Sequence, residues 1–340
     1  MQALFDQAGK KSRKVVVLGT GGTIAGRAAE PGNASVYVAG QVAVQDLLAS
    51  VPGLAALQQA LGVTLTCEQI AQIDSKDMDF ATWQQLAARA AECLADDAVA
   101  GVVVTHGTDT LEESAHFLHR VLPGSLLQRK ALVFTCAMRP ANALQPDGPG
   151  NLRDAVQLAA EGDPRLVGVL AVCAGDIHRA EFLTKSYSHQ NNAFISVDGH
   201  PYAAINNGAI SFYKTSNQIN KTTSNEHFLA SVQQARQLPR VDIVLNHAGA
   251  DGRIVDALLA LGAQAPAGIV VAGTGNGTVS TALEAALLRA VARGVRVVRS
   301  TRCVFGSVQA LPDQALPDTS PLTPVKARVD LMLQLLAAGR

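Results

Sequence analysis

The sequence predicts an α/β protein: a larger N-terminal, mostly parallel sheet flanked by helices, followed by a smaller C-terminal α/β domain. Apolar runs rich in β-branched residues, such as Val15–Leu18 and Val102–Val104, are typical of strands buried in a parallel sheet. These runs alternate with segments of helical periodicity, an order that implies right-handed crossovers. Aromatic residues make up only 4% of the 340 residues, and abundant small aliphatic residues favour helices packed closely on a sheet.

Charge and cysteine content exclude several classes of protein. The formal net charge is zero and charged residues make up 16% of the chain, so small-molecule partners are expected and nucleic acid is not. The five cysteines lack a C-x-x-C pair. They support neither a disulfide framework nor a zinc site, and we interpret them as buried thiols in a reducing compartment. No apolar run approaches the roughly 20 residues that span a bilayer, and Val15–Leu18 is too short for a signal-peptide core. The sequence thus predicts a cytoplasmic protein without membrane contact.

Four segments are expected along the chain. We expect residues 1–14 to form a loose N-terminal arm, 15–205 the N-terminal α/β domain, 206–238 an inter-domain linker and 239–340 the C-terminal α/β domain. The linker is predicted because Asn206–Asn225 is rich in Asn, Ser, Thr and Lys and has little apolar periodicity.

Apolar runs and capping signals predict the elements of both domains. The first domain is expected to have strands at Val15–Leu18, Val63–Thr66, near Gln72, Gly101–Thr105, Ala131–Thr135 and Leu166–Val172, and helices at Val44–Leu48, Thr82–Leu94, Leu111–Leu122 and Leu152–Ala160. The Thr82 helix is expected to open with a Thr82–Gln85 capping box. The second domain is expected to have strands at Val241–Leu245, Gly268–Ala272 and Val295–Val298, with a helix between the loop Gly273–Thr278 and Gly294.

Hydroxyl side chains follow two of the predicted strands. Thr20 and Thr23 come after the first strand. Thr105 is the last residue of the strand that begins at Gly101, and Thr108 and Thr110 follow it. Because parallel strands deliver ligand-binding loops at their carboxyl ends, this placement suggests a hydroxyl nucleophile.

Asp109, between two of these threonines, has a second interpretation. It is a natural N-cap for the helix at Leu111, with Glu112 as its capping-box partner. Both roles are compatible, since a helix N-terminus also gathers backbone N–H donors around a ligand.

Other chemistries fit the sequence less well. The loop Gly19–Gly26 breaks the G-x-G-x-x-G phase at Ile24 and lacks the Gly-Lys-Ser/Thr of a P-loop. A Gly-x-Ser-x-Gly elbow is absent. His116 and His119 have the spacing of two metal ligands on one helical face, but without a matching acidic partner they are expected to be surface or half-buried histidines.

A threonine needs a base or a positive environment before it can attack a carbonyl. Lys185 is a candidate base, because a desolvated lysine loses its proton readily. Its position in the sequence does not single it out among the other lysines.

Several motifs together resemble the bacterial-type L-asparaginases and glutaminase-asparaginases. The two signatures are Thr20–Gly26 and Thr105–Thr110. Further matches occur in the family's order over nearly the whole chain, at Asp74–Met78, Ala137–Pro140, Asp147–Pro149, Thr184–Lys185 and Gly275–Gly277. In combination these motifs are highly specific.

The resemblance implies that Thr23 is the primary nucleophile and that Tyr37, on a mobile lid after the polar loop Arg27–Ser35, assists its deprotonation. It also implies a second cluster in which Thr108 is paired with Lys185 and Asp109.

Substrate-binding roles are implied as well. Ser75 and Asp109 would hold the α-carboxylate and α-amino groups, and backbone N–H groups at Thr23 and Thr108 would form the oxyanion hole. The Ala137 carbonyl would face the leaving amide, and Asn276 would complete the pocket of a neighbouring subunit in a dimer of dimers.

Two positions depart from the family pattern. Lys76 follows Ser75 where many members have Gln, and it is expected either to line the substrate pocket or to point outward. In the segment Val304–Asp313, around Leu311, no residue matches the acidic side chain that some members contribute across the interface. Recognition of the substrate's amino group depends on both positions.

The expected function is hydrolysis of L-asparagine to L-aspartate and ammonia through an acyl-threonine intermediate, without metal or organic cofactor. Three alternatives stay open: a glutaminase-asparaginase of broad specificity, an amidase subunit of a tRNA amidotransferase, and a catalytically silent amino-acid-binding protein.

Overall fold

The structure, a computed structural model, describes residues 13–33, 36–213, 226–310, 312 and 314–340. It divides into two compact units. The first takes its described residues from 13–115, 122–196 and 200–213, and the second from 116–121, 197–199 and 226–340. Residues 1–12 of the predicted arm and 214–225 of the predicted linker lie outside the described residues.

Strands and helices alternate through most of the described chain. The strands are β1 (Arg13–Gly21), β2 (Arg27–Ala28), β3 (Tyr37–Val38), β4 (Val63–Ile73), β5 (Val99–Thr105), β6 (Ala131–Thr135), β7 (Gly168–Cys173), β8 (Asp176–Arg179), β9 (Leu183–Lys185), β10 (Phe194–Ser196), β11 (Ala203–Asn206), β12 (Ala209–Phe212), β13 (Val241–Leu245), β14 (Gly268–Gly273) and β15 (Arg296–Thr301). The helices are α1 (Val44–Ala49), α2 (Leu54–Leu61), α3 (Phe80–Ala95), α4 (Leu111–Val121), α5 (Gly124–Leu127), α6 (Gly148–Glu161), α7 (Glu226–Gln234), α8 (Arg253–Leu259), α9 (Thr281–Ala292) and α10 (Pro324–Ala337).

An eight-stranded sheet forms the centre of the first unit, in the order β12-β11-β8-β7-β6-β5-β1-β4. The neighbours from β4 to β7 pair in parallel. Strands β8, β11 and β12 add an antiparallel edge beside β7. The predicted fold class, a larger mostly parallel sheet with a smaller α/β domain, is confirmed. The antiparallel edge was not predicted, because its strands have only four residues each.

The core of this unit explains why the apolar runs form strands. Val15 and Val17 of β1, Val103 of β5 and Val133 of β6 are fully buried in one cluster with residues of α6. Val16, Val102 and Val104, whose side chains alternate to the other face, are buried as well. Burial on both faces accounts for the continuous apolar pattern of these strands.

The second unit has its own sheet, with β13, β14 and β15 paired in parallel. Its core includes Ile269 and Val271 of β14 and Leu283 and Leu287 of α9. Helix α9 begins after Ser280, whose Oγ accepts a hydrogen bond from the Leu283 N–H at 3.3 Å. Helix α10 was not predicted from the sequence.

Several element boundaries differ from the predictions. The two strands expected at 63–66 and near Gln72 are one strand, β4. The N-cap of α3 is Asp79, which accepts a hydrogen bond from the Thr82 N–H at 2.8 Å, and not Thr82. Helix α6 begins four residues before the predicted Leu152, because Pro149 suits the first helical turn.

Two parts of the predicted linker 206–238 belong to regular elements. Ala209–Phe212 forms β12 and pairs with β11, because Ile210 and Phe212 pack against the core of the first unit. Glu226–Gln234 forms α7. Arg13 and Lys14, assigned to the arm, begin β1.

All five cysteines are free thiols. Cys93, Cys136 and Cys173 are buried as expected, whereas Cys67 and Cys303 are exposed. The expectation of buried thiols is therefore wrong for these two. Cys67 lies on β4, the edge strand of the large sheet, and Cys303 follows the end of β15. Within the described residues, no helix has the length and apolar character needed to cross a membrane.

Gly101 is predicted to be required for the packing of α6 on β5. A Cβ at this position would lie 2.2 Å from the carbonyl oxygen of Ala159 in α6. Gly101→Ala should therefore lower the free energy of unfolding by about 1–3 kcal/mol, measured by urea denaturation. Gly150→Ala is the matched control, since a Cβ on this glycine of α6 meets no atom within 4 Å. It should raise the free energy of unfolding by about 0.5–1 kcal/mol, and equal destabilisation by both changes would contradict the packing argument.

Candidate active site

Two glycine-containing loops meet at one edge of the large sheet. Strands β1 and β5 are parallel neighbours with Gly19 opposite Thr105, so the loops that follow them leave the same edge. Gly22 has φ +80°, and a Cβ on it would lie 2.3 Å from the backbone N and Cα of Gly107. The loops are thus in backbone contact, which only glycine at position 22 permits.

Thr23 begins the 3-10 turn Thr23–Ala25 directly after this contact. The residue is only 6% exposed, and its Oγ1 lies 2.7 Å from the Tyr37 Oη, at hydrogen-bonding distance. Tyr37 is on β3, which pairs with β2 in a two-stranded ribbon. The predicted nucleophile and the lid tyrosine are therefore in direct contact.

A second cluster lies on the loop after β5. The Lys185 Nζ donates hydrogen bonds to Thr108 Oγ1 at 2.9 Å and to Asp109 Oδ1 at 2.6 Å. Lys185 ends β9, whose pairing with β10 sets Lys185 opposite Phe194. The Lys185 side chain is 19% exposed, while that of Asp109 is 54% exposed. The predicted trio of Thr108, Lys185 and Asp109 is thus assembled.

Asp109 was also interpreted as the N-cap of α4, but Thr110 occupies that position. The Thr110 carbonyl accepts the hydrogen bond from the Ser114 N–H at 3.0 Å, and the helix begins at Leu111. The predicted partner in the capping box, Glu112, accepts a hydrogen bond from the Lys185 N–H at 3.2 Å. The Asp109 carboxylate therefore pairs with the Lys185 Nζ, and Glu112 binds the Lys185 backbone.

Ser75 lies against the second loop. Its Oγ accepts a hydrogen bond from the Asp109 N–H at 3.2 Å, and its carbonyl accepts one from Thr110 Oγ1 at 2.7 Å. A Cβ on Gly107 would lie 2.5 Å from the Ser75 Oγ. Ser75, only 2% exposed, thus lies against Gly107, the residue of the second loop that contacts the first.

Lys76 has an exposed side chain that pairs with two carboxylates. Its Nζ lies 2.6 Å from an Asp74 carboxylate oxygen and 3.3 Å from one of Asp77, and its side chain is 61% exposed. The hydrogen bond to Asp74 raises the pKa of Lys76 above its ordinary value. These ion pairs and this exposure fit the outward orientation, and the contact of Lys76 with substrate stays a prediction.

Ala137 is fully buried in the loop after β6. A Cβ on Gly148 would lie 2.9 Å from Ile24 and 3.4 Å from the Ala137 Cβ, so Ala137 lies near the turn that carries Thr23. The loop is closed by the Asp147 carboxylate, which accepts hydrogen bonds from the Met138 and Arg139 N–H groups at 2.8 and 2.9 Å.

Asn276 belongs to the second unit, in the loop between β14 and α9. Its side-chain amide exchanges two hydrogen bonds with the Gln309 backbone, at 3.1 and 2.7 Å. Leu311 and Asp313, in the segment where no matching acidic residue was found, lie outside the described residues.

His106, in the loop after β5, and His116, in α4, are both buried. His106 is fully buried, and desolvation lowers its pKa to about 4. Its Nδ1 lies 2.7 Å from the Gly107 carbonyl, which can only accept, so Nδ1 carries the proton. The prediction of a surface or half-buried residue is wrong for His116, which is 1% exposed. Burial, reinforced by Lys326, lowers the pKa of His116 well below 6.5. Within the described ranges, no group of three or more His, Cys, Asp and Glu could hold a metal ion.

Sequence reasoning missed three residues that organise this site: Glu112, Asp147 and Asn142. Asp147 lies within a motif that carried the family resemblance, and Glu112 within a predicted capping box, so both were visible but differently interpreted. Asn142 gave no signal, because its partner Ala28 is 114 residues away.

Comparison with known proteins identifies related families and structures. The N-terminal asparaginase family model matches residues 14–218, and the glutaminase/asparaginase C-terminal domain model matches 240–339. The chain is 37% identical to "L-asparaginase 2" of Bacillus subtilis, over 94% of this chain and 81% of the relative. It is 33% identical to a glutaminase-asparaginase of Pseudomonas fluorescens, over 96% of this chain and 87% of the relative.

A solved structure is also similar over nearly its whole length. The crystal structure of a probable cytoplasmic L-asparaginase from Campylobacter jejuni superposes with a TM-score of 0.83 at 35% identity. The match covers 96% of this chain and 95% of that one. The resemblance predicted from the motifs is confirmed.

His106 should stay neutral throughout the physiological pH range. Since its pKa is lowered to about 4 from an unfolded value near 6.5, its contribution to stability is complete above about pH 6.5 and declines as the pH falls toward 4. NMR titration of the imidazole, assigned with His106→Gln, should show protonation with a midpoint near pH 4. A midpoint near pH 6.5 would show that the ring is hydrated.

Proposed function

Because the chain belongs to the asparaginase family, we propose that it is an amidohydrolase that converts L-asparagine to L-aspartate and ammonia through a covalent acyl-threonine intermediate. The observation that carries this proposal is the 2.7 Å contact between Thr23 Oγ1 and Tyr37 Oη, on a loop in backbone contact with the one that bears Thr108. A hydroxyl nucleophile needs such a neighbouring group to accept its proton.

In the first step, the Thr23 Oγ1 attacks the side-chain amide carbon of the substrate. The C–N bond breaks, and the proton that leaves the Thr23 hydroxyl reaches the amide nitrogen through Tyr37, so that ammonia departs. In the second step, water cleaves the ester, giving the substrate carboxyl group and the free Thr23 hydroxyl. Two steps with lower barriers replace direct hydrolysis of a poor electrophile.

The second cluster supplies charge on the opposite loop. Because the Thr108 Oγ1 accepts a hydrogen bond from the Lys185 Nζ, the Thr108 hydroxyl can donate its own proton to another group. We assign this second hydrogen bond to the reacting groups at the site. Lys185 and Asp109 hold Thr108 in place. Backbone N–H groups of Thr23 and Thr108 form the proposed oxyanion hole. A donor of this kind is typically worth about 3–4 kcal/mol of barrier lowering.

Recognition of the substrate is assigned to residues around the same edge. Ser75 and Asp109 bind the α-carboxylate and α-amino groups, and the Ala137 carbonyl accepts a hydrogen bond from the leaving amide. The half-exposed Asp109 carboxylate offers a negative charge to an ammonium group. Lys76 is assigned no contact with substrate, because two carboxylates hold it in solvent.

The chain is proposed to work as a homo-oligomer, a dimer of dimers, in which Asn276 completes the pocket of a neighbouring copy. Exposed apolar side chains on the second unit support this assembly, including Leu245 on the edge strand β13 and Ile254 on α8, which are 52% and 57% exposed. Sedimentation velocity should give the mass of four chains.

A cytoplasmic location is proposed as well. It is supported by the free thiols and by the probable cytoplasmic relative from Campylobacter jejuni. Cell fractionation should recover the protein in the cytoplasmic fraction, and recovery in the periplasmic fraction would contradict this assignment.

An ammonia-release screen of the purified chain with asparagine, glutamine and related amides tests the proposed substrate. Rapid release from asparagine and slow release from glutamine would support the proposal, and comparable rates would indicate a glutaminase-asparaginase. An amidotransferase subunit would release little ammonia without its partner. Calorimetric binding of asparagine without ammonia would indicate a silent binding protein.

Thr23→Ala should abolish ammonia release, with kcat lower by at least about 10⁴-fold, because it removes the hydroxyl that contacts the Tyr37 Oη. Removing one small side chain should change the free energy of unfolding by no more than about 1 kcal/mol. Thr20→Val, near the end of β1, is the control, since the Thr20 hydroxyl donates to the Thr105 carbonyl and has no proposed catalytic role. Residual activity of Thr23→Ala near that of the parent would move the nucleophile elsewhere.

Lys185→Met should lower kcat by about 10²–10⁴-fold, because Thr108 and Asp109 lose their shared cation. Steady-state kinetics and thermal unfolding check this expectation. Lys14→Met, which removes an exposed lysine paired with Asp96, should keep the parent kcat. A mild effect at Lys185 would remove it from the proposed machinery.

Lys76→Gln should leave kcat and KM for asparagine within about twofold of the parent values, because exposed ion pairs contribute little. Ser75→Ala is the positive control and should raise KM by removing a proposed substrate contact. A large change of KM in Lys76→Gln would place Lys76 in the pocket.

A further inference from the structure

The ribbon that carries Tyr37 has little burial of its own. Strands β2 and β3 have two residues each, with Ala28 opposite Tyr37, and a two-stranded ribbon is marginally stable by itself. Tyr37 is 37% exposed and Val38 62% exposed. Hydrogen bonds and contacts with neighbouring segments must therefore hold Tyr37 against Thr23.

The side chain of Asn142 makes two such bonds. Its Oδ1 accepts a hydrogen bond from the Ala28 N–H at 2.8 Å, and its Nδ2 donates to the Ala28 carbonyl at 2.8 Å. Both polar groups of the residue opposite Tyr37 are thus bound by one amide. The Asn142 side chain therefore takes the place of a third strand on the outer edge of β2.

Further contacts join the loop after β6 to the segment around Tyr37. The Ala141 N–H donates to the Gly26 carbonyl at 2.9 Å, and the Tyr37 ring lies over Gly26, where a Cβ would come within 2.9 Å of the ring. The Asp147 carboxylate closes the loop that contains Ala141 and Asn142. A continuous set of contacts therefore leads from the loop after β6 to the Tyr37 hydroxyl.

We propose that Asn142 is a positioning residue for the reaction, which holds the β2–β3 ribbon so that the Tyr37 Oη stays at hydrogen-bonding distance from Thr23. It acts through Tyr37 and does not touch the reacting atoms. The proposal deepens the proposed function and rests on it in one respect, that Tyr37 assists Thr23.

Asn142→Ala and Asn142→Asp test this role. Both should lower kcat for ammonia release about tenfold and leave KM little changed. The reason is that losing neutral hydrogen bonds of the ribbon lowers the fraction of molecules in which Tyr37 contacts Thr23. Gln145→Ala is the matched control in the same loop. Its side chain accepts a long hydrogen bond from Arg139, and it should keep the parent kcat.

The pH profile of Asn142→Asp separates positioning from a general loss of structure. A carboxylate offers only acceptors, but a protonated carboxyl group has one O–H donor and one acceptor, the pattern of the amide it replaces. The ratio of its kcat to that of the parent should therefore rise as the pH falls below about 5, while the ratio for Asn142→Ala stays flat. A flat ratio for both variants would overturn the proposal.

Coupling to Tyr37 provides a second criterion. In a Tyr37→Phe background, Asn142→Ala should have less than about a twofold further effect on kcat, because residues acting through one contact are not additive. A full tenfold effect in that background would overturn the proposed route through Tyr37.

Amide hydrogen exchange gives a readout that does not depend on the substrate. Asn142→Ala should speed exchange at Ala28 and in the flanking ribbon at least about tenfold, whereas Gln145→Ala should not. This change is expected even if asparagine is not hydrolysed, so failure of the proposed function can be told apart from failure of this inference. Unchanged exchange at Ala28 would overturn the inference.

Discussion

The site depends on the close approach of two backbones, at Gly22 and Gly107. Strands β1 and β5 are hydrogen-bonded neighbours, so their loops leave the sheet side by side, but ordinary side chains would hold the loops apart. A Cβ at Gly22 would overlap the Gly107 backbone at 2.3 Å. Glycine at both positions lets Thr23 and Thr108 be carried on touching loops, and the other site residues of the first unit are arranged around that contact.

Each surrounding side chain comes from an element outside the two loops. Lys185 is delivered by β9, and its backbone is held by Glu112 at the start of α4. Ser75 lies two residues after the end of β4, and its Oγ accepts a hydrogen bond from the Asp109 N–H. Tyr37 depends on a ribbon attached to the loop after β6 by Asn142. The polar groups thus cross-link the loops at the sheet edge, while apolar burial of β1 and β5 holds the sheet itself.

The sequence could predict those parts of the fold that local patterns determine. Strands β1, β5 and β6 are apolar runs bounded by turn signals, and their parallel order places Thr23 and Thr108 at one edge before any coordinates are known. Short strands such as β8 and β12 escaped prediction, since they depend on pairing with distant partners. The cap of α3 was misplaced because Asp79 and Thr82 are both suitable capping residues, and the earlier one caps the helix.

Contacts between distant segments also limited prediction of the candidate site. Spacing alone did not distinguish Lys185 from other lysines or connect Tyr37 with Thr23, because these contacts join separate segments of the chain. The resemblance to a family supplied both. The orientation of Lys76 depended on Asp74 and Asp77, whose carboxylates hold it in solvent. The pairing of Asn142 with Ala28, 114 residues apart, could be recognised only in three dimensions.

The most direct test of the proposed chemistry is to trap the acyl-enzyme. The chain would be mixed with an asparagine analogue whose acyl group is transferred quickly and hydrolysed slowly, then quenched in acid, digested with trypsin and analysed by mass spectrometry. Cleavage after Lys14 and Arg27 separates Thr23 from Thr108, which lies in the peptide between Arg89 and Arg120. The account predicts one acyl group in the first peptide, localised to Thr23 by fragmentation. An acyl group on Thr108, or an unlabelled protein that still releases ammonia, would contradict it.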